Sequence, residues 1–212
     1  HDPLRRQRQM CIRDRLDNGS VSCWGGSDLG QLGNGMSYSL TPTLTGSFGT
    51  GRTAVALSSG SFHTCAILDN GAVSCWGMGW HGQLGNGGAP FKQNTPVLVS
   101  SFGSGRTAIA ISAGGMHTCA ILDNGLVSCW GAGTSQGGGG DYGQLGNGGS
   151  TGSAVPTLTS SLGTGRTAVA LSSGGVHTCA VLDNGQVSCW GYGDPGQLGN
   201  GGTTNKLSLI HI

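Results

Sequence analysis

The sequence predicts an all-β chain assembled from repeated antiparallel sheets, and three observations predict it. First, the frame HTCAILDNGAVSCWG at 63–77 returns as HTCAILDNGLVSCWG at 117–131 and HTCAVLDNGQVSCWG at 177–191, with a truncated LDNGSVSCWG from Leu16. Second, GQLGNG follows each copy, beginning at Gly30, Gly82, Gly143 and Gly196. Third, apolar residues between these anchors alternate with small or polar ones, the period of two that strands require, and no run has helical spacing. LDNG starts at 16, 68, 122 and 182, so successive units are 52, 54 and 60 residues apart. An array is expected in which each unit leans on its neighbours.

The ends depart from the frame. Aligned on LDNG, positions 11–15 read CIRDR where the other copies carry HTCAI or HTCAV. Gln9 to Arg15, QMCIRDR, back-translates to a DNA string whose reverse complement encodes Leu207 to Ile212, LSLIHI. Two peptides from opposite strands of one inverted element resemble the transposon end of a sequencing-library adapter. Residues 1–15 and 207–212 are therefore expected to be a processing scar, with 16–206 as the native segment of a longer protein.

Composition narrows the partners. Within 16–206 the cations are Arg52, Lys92, Arg106, Arg166 and Lys206, five against the seven aspartates 17, 28, 69, 123, 141, 183 and 194, a net of −2. Glutamate is absent. This leaves no basic footprint for nucleic acid and no cationic cluster for acidic lipid. No apolar run approaches the ~20 residues of a membrane span. Glycine makes up 44 of 212 residues, which together with regularly spaced tryptophans argues for turn-rich folded β structure.

The first element in order is a partial repeat, 16–41; blades follow near 42–77, 95–130 and 156–190. In the first blade TAVALSS (53–59), HTCAIL (63–68) and AVSCW (72–76) read as short strands, and TPVLV (95–99) opens the next blade. Asp69-Asn70-Gly71 between two of them is a hairpin signal, because Gly71 takes the positive φ of a tight turn and Asn tolerates it. A three-residue loop sets Leu68 against Ala72 and Cys65 directly opposite Cys75; a two-residue loop would set Cys65 against Trp76. The first register predicts disulfides Cys65–Cys75, Cys119–Cys129 and Cys179–Cys189. Buried reduced thiols are the bland alternative. Zinc is the other, with two Cys and one His per repeat falling short of a tetrahedral set. Cys23 faces Arg13 at the corresponding position, and Cys11 lies in the leader.

Four short strands in about fifty residues suit the blade of a β-propeller. The expected fold is a β-propeller fragment, an open arc of about three complete four-stranded antiparallel blades with partial flanking repeats. Trp24, Trp76, Trp130 and Trp190 share one frame position and are expected between adjacent blades. Leu32, Leu84, Leu145 and Leu198 are expected to plug the seams. His63, His117 and His177 are read as structural hydrogen-bonding groups, and Arg52, Arg106 and Arg166 as partners of loop carbonyls or a turn carboxylate.

The pattern GxxHTCAxLDNGxVSCWGxGxxGQLGNG resembles the regulator of chromosome condensation repeat, over essentially all of 16–206. The resemblance implies a seven-bladed β-propeller whose other blades lie in the missing part of the parent chain. The cysteine pair is similar to that of secreted or cell-surface microbial members, which implies an extracellular or surface location.

Comparison of the copies with one another separates frame from variation. The stretch between WG and GQLG reads GSDL, MGWH, AGTSQGGGGDY and YGDP. Loops on a rigid scaffold are where binding resides, so Met78, Trp80, His81, Asp141, Tyr142, Tyr192 and Asp194 are the candidate binding residues for a protein or glycan ligand. No catalytic, cofactor or metal residue is assigned: the frame residues recur in every copy, as scaffold residues do, and no nucleophile has a base and an orienting group beside it. A non-enzymatic binding scaffold is the expected function. A guanine-nucleotide exchange factor acting on a small GTPase and a targeting domain of a larger enzyme are the alternatives.

Overall fold

The computed structural model describes residues 12–131, 142–194 and 196–211. They form fifteen strands in four antiparallel sheets, with no helix among the described residues. The first sheet has three strands, β1 (Ile12–Arg15), β2 (Val21–Gly26) and β3 (Tyr38–Leu44). The second has β4 (Ala54–Ser59), β5 (His63–Leu68), β6 (Val73–Met78) and β7 (Lys92–Leu98). The third has β8 (Ala108–Ala113), β9 (His117–Leu122), β10 (Val127–Gly131) and β11 (Ser153–Leu158). The fourth has β12 (Ala168–Ser173), β13 (His177–Leu182), β14 (Val187–Gly191) and β15 (Lys206–His211). Strands follow one another across each sheet in chain order, apart from direction the simplest meander, and this all-β array is the expected propeller arc.

The sheet boundaries fall later than 42–77, 95–130 and 156–190. The TPTL, TPVL and VPTL strands pair with the WG strand before them, not with the strand after them, so the second sheet runs from Ala54 to Leu98. The pairing register explains why proline suits these strands. Cys75 faces Val97 and Gly77 faces Gln93, a bulge that places Pro96 at an outer edge where no ladder N–H is needed. Residues 12–15 and 207–211, expected to be scar, also lie in strands: β1 pairs with β2 and β15 with β14. Backbone donors and acceptors pair without regard to side chain, so a segment of any origin can fill a vacant sheet edge.

The hairpin takes the three-residue loop. Gly71 N–H donates to Leu68 O at 2.8 Å with φ of 75°, and Leu68 N–H donates to Ala72 O at 2.8 Å. Leu68 N–H donates to Ala72 O and Met78 N–H to Phe62 O, so, counting inward, Cys65 and Cys75 form a non-hydrogen-bonded pair, the closer kind of cross-strand neighbour. Their Cα atoms are 4.1 Å apart and the sulfurs are at bonding distance, as in Cys119–Cys129 and Cys179–Cys189. Cys23 is a buried thiol opposite Arg13.

The core lies between the sheets. Three apolar clusters fill the three seams, each combining one sheet's Cys and Val with the GQLG leucine and the next sheet's tryptophan. In the second seam these are Cys65, Val73, Cys75, Leu84, Ala108 and Trp130. Trp76, Trp130 and Trp190 are fully buried, and each indole N–H donates to a carbonyl of the preceding GQLG loop: Gln31 at 2.9 Å, Gln83 at 2.9 Å and Gln144 at 2.8 Å. A Cβ on Gly85, whose φ is 68°, would lie 2.6 Å from the Trp130 indole nitrogen, so only glycine lets the loop lie flat on the ring. Phe48 and Phe102 tilt against Trp76 and Trp130 at 5.9 and 5.8 Å, and Leu162 holds the same frame position in the third seam.

Candidate binding face

The two ends of the sheets differ in chemistry. At one end lie the DNG turns, where Arg52, Arg106 and Arg166 pair with Asp69, Asp123 and Asp183 at 3.4, 3.5 and 3.5 Å. These pairs repeat on the second, third and fourth sheets and are partly exposed, so they tie the strand-entry loop to the hairpin and contribute little stability each. The opposite end carries the β4–β5 turn and the variable loop after β6. Met78 N–H donates to Phe62 O at 2.9 Å and Gly79 N–H to Phe91 O at 3.4 Å, which gathers Phe62, Met78, Trp80 and Phe91 at this end.

The structure sorts the candidate residues. Trp80 is 40% exposed and meets Phe91 edge-on, with centroids 5.5 Å apart; Phe91 is itself 56% exposed. Tyr142 and Tyr192, from consecutive loops, approach to 4.6 Å and bridge the third and fourth sheets. Asp194, two residues after Tyr192, is exposed, and Met78 is half-buried at the end of β6. Asp141 and the Gly137–Gly140 insertion lie outside the described residues. His81 points inward instead: it is buried, and burial lowers its pKa below the usual histidine value. Its backbone N–H donates to Gln83 Oε1 at 2.8 Å, the same turn that Tyr142 makes with Gln144 Oε1 at 2.7 Å, so the residue before GQ serves the loop's own geometry.

Sequence reasoning passed over Phe62, Phe91, Met36 and Tyr38. All four are exposed at this end or at the start of an outer strand, Tyr38 at 69%. The available signal was position: Phe91 directly precedes and Tyr38 opens the TP strand in their copies, just where the loop returns to the sheet.

The histidines build a different feature. His63 Nε2 lies 2.8 Å from Thr118 Oγ1 and His117 Nε2 2.7 Å from Thr178 Oγ1, each joining one sheet to the next inside the seam. Burial, reinforced by the neighbouring histidine, lowers His63 to about 3 and His117 to about 4. Neutral, buried and bonded to a threonine, they are poorly placed for proton transfer to a ligand. No group of three or more His, Cys, Asp or Glu among the described residues is arranged to hold a metal. Among the described residues no helix is long and apolar enough to cross a membrane.

Comparison with known proteins fixes the family. Two models of the regulator of chromosome condensation (RCC1) repeat match, one over residues 70–121 and the other over 54–83, 108–137 and 168–197. The chain belongs to the RCC1-repeat family. Human E3 ubiquitin-protein ligase HERC2 is 35% identical over 188 residues, covering 86% of this chain but 4% of that protein. Ultraviolet-B receptor UVR8 of Arabidopsis thaliana is 32% identical over 187 residues, 88% of this chain and 40% of the receptor. The RCC1-repeat chain thus spans well under half of either relative.

Among solved structures, human WBSCR16 superposes with a TM-score of 0.81 at 22% identity, over 95% of this chain and 50% of that one. Prp20p of Saccharomyces cerevisiae, whose structure was described together with its binding properties to Gsp1p and histones, gives 0.78 at 20% identity, over 95% and 48%. At these identities the likeness is one of fold: an RCC1-type propeller, here about half a ring's length.

Proposed function

We propose that this RCC1-repeat chain is a non-enzymatic scaffold that binds a protein partner through the loop end bearing Trp80, Phe91, Tyr142 and Tyr192. The observation that carries the reading is the gathering of two exposed rings, Trp80 and Phe91, and two half-buried ones, Tyr142 and Tyr192, at one end of the sheets, while the other end is occupied by internally paired charges. Large, rigid, half-exposed rings supply contact area at low entropic cost and are enriched at interface centres. Similarity to repeat proteins that include a form with described protein partners supports a protein ligand over a glycan. The three cysteine pairs support an oxidising compartment, at the cell surface or outside it.

The test is a site-specific photocrosslinker placed at position 80 or at position 105, in the folded protein exposed to candidate partners and to a glycan panel. Protein adducts at position 80, lost with Tyr142→Ala/Tyr192→Ala and retained with Arg106→Ala, support the reading. Adducts only at position 105, or selective glycan retention that survives loss of the rings, overturn it. Stimulated nucleotide release from a small GTPase would favour the exchange-factor alternative, which the fold likeness to Prp20p brings into play.

A further inference from the structure

Ten asparagines occur in the chain, and only Asn18 stands two residues before a serine or threonine, with Gly19 between it and Ser20. Asn-x-Ser with x other than proline is the acceptor tripeptide for N-linked oligosaccharide in secreted proteins. So short a motif arises by chance in many chains, and the surroundings of the side chain decide whether it can carry a sugar.

Four equivalent DNG turns allow that decision. Asn18, Asn70, Asn124 and Asn184 hold one position in these turns, and all four are exposed. Asn70 and Asn124 lie on sheets packed against a neighbour on both sides, so exposure belongs to the turn and not to its place in the row. The GQLGNG asparagines differ: Asn34, Asn86 and Asn147 are half-buried, and Asn34 Nδ2 donates to Thr43 Oγ1 at 3.1 Å and to Leu44 O at 3.2 Å. Asn18 Oδ1 accepts from Ser20 N–H at 3.0 Å, and its Nδ2 makes no hydrogen bond among the described residues. The place of Ser20 is taken by Ala72, Leu126 and Gln186 in the other copies, so the hairpin itself does not demand a serine.

The turn also tolerates the product. The donor in such a transfer is an oligosaccharide joined through its anomeric carbon to a lipid diphosphate. Asn18 Nδ2 bonds to that carbon and the carbon–oxygen bond to the diphosphate breaks. The lipid diphosphate leaves with the electron pair, and one Nδ2 proton passes to a base of the transferase. Oδ1 keeps its lone pairs, so its bond from Ser20 N–H survives. The bonds that close the hairpin, Leu16 N–H to Ser20 O and Gly19 N–H to Leu16 O, both 2.8 Å, do not involve the asparagine side chain. The turn meets the next sheet through Gly19, where an added Cβ would lie 2.5 Å from Thr53 Cβ. A bulky group on Asn18 therefore stays clear of the seam, at the end of the sheets opposite Trp80.

We infer that Asn18 is an N-glycosylation site of this chain, taking an oligosaccharide from a lipid-diphosphate donor. The inference rests on the reading that the cysteine pairs mark an oxidising, secretory compartment.

The test sends the chain, behind a secretion signal, through the secretory pathway of a eukaryotic cell, with Ser20→Ala and Ala72→Ser alongside. Alanine already stands at the equivalent place in the second copy, so Ser20→Ala suits the turn. Peptide mass mapping before and after peptide N-glycosidase locates the glycan, and alkylation without reduction reports the cysteines. Support is a glycan at Asn18, its loss in S20A, a second glycan at Asn70 in A72S, and equal thermal midpoints for the glycosylated protein and S20A. Paired cysteines with Asn18 bare, or with Asn70 bare in A72S, overturn the inference and leave the compartment reading standing. Free thiols with Asn18 glycosylated do the reverse, and free thiols with Asn18 bare overturn both. A glycosylated protein that melts below S20A also overturns the inference, because the sugar then disturbs the turn.

Discussion

The hydroxyl of Thr118 donates to the carbonyl of Gln83 at 3.0 Å while its oxygen lies 2.8 Å from His63 Nε2. A hydroxyl has one proton, so His63 must donate through Nε2–H and carry its lone pair on Nδ1. That Nδ1 is buried with no hydrogen-bond partner, as is Nδ1 of His117. A second proton on either ring would have no acceptor.

Stability should therefore fall in acid. The folded pKa values of His63 and His117, about 3 and about 4, lie below the ordinary 6.5, so the unfolded chain binds more protons between those limits. The contribution is fully present above pH 6.5 and is lost as pH falls toward 4, with a slope of about 1.4 kcal/mol per pH unit for each histidine. Thermal midpoints measured from pH 8 to pH 4 should be flat at first and then drop. In His117→Gln the slope should be smaller by about one proton.

Removing a seam residue should cost more than removing a surface pair. Trp130→Ala takes away a fully buried ring and its bond to Gln83, and is expected to destabilise by about 3–5 kcal/mol. Arg106→Ala breaks an ion pair between side chains that are 40% and 34% exposed, and should change stability by under about 1 kcal/mol. Chemical denaturation of both variants measures the contrast.

Two glycines with the same backbone angle should respond differently to one methyl group. Gly105 has φ of 69° and open space around its missing Cβ, so Gly105→Ala incurs only the left-handed strain of about 1–2 kcal/mol. Gly85 has φ of 68° and lies against Trp130, so Gly85→Ala incurs that strain and also forces the seam apart. Melting temperatures should rank wild type, Gly105→Ala, Gly85→Ala in descending order.

The cysteines should divide by reactivity. Under native, non-reducing conditions a thiol reagent should leave Cys65, Cys75, Cys119, Cys129, Cys179 and Cys189 unmodified, and should label Cys23 only after unfolding, because its sulfur is buried. Cys119→Ser/Cys129→Ser opens a loop of ten-residue separation and should cost about 2–4 kcal/mol. Mass spectrometry after alkylation reads the first outcome, and denaturation midpoints the second.

What the sequence made legible was what a single copy contains. The turn at Asp69-Asn70-Gly71 fixes its own register, and the register places Cys65 opposite Cys75, so both could be read within one hairpin. The repeated tryptophan and leucine could be assigned to seams because every copy has them and none has an alternative burial site. What stayed hidden depends on pairs about fifty residues apart. Thr118 sits one residue after His117, yet its partner is His63 of the previous copy, and nothing within one frame says so. The same holds for the TPVL strand, whose alternation shows a strand but not which neighbour it joins. Phe91 escaped notice because it stands outside the WG-to-GQLG window, and only the folded loop brings it to Trp80.

Near-identity of the copies has a consequence for how the chain reaches this state. The hairpin at 63–77 and the hairpin at 117–131 differ at one position, Ala72 against Leu126. Each presents nearly the same edge to an incoming TP strand and nearly the same seat to a GQLG leucine. A strand that docks one copy out of place would satisfy almost all of the same bonds, so skipped-copy pairings compete with the correct order while the chain refolds. Synthesis from one end, which offers the copies in turn, removes most of that competition.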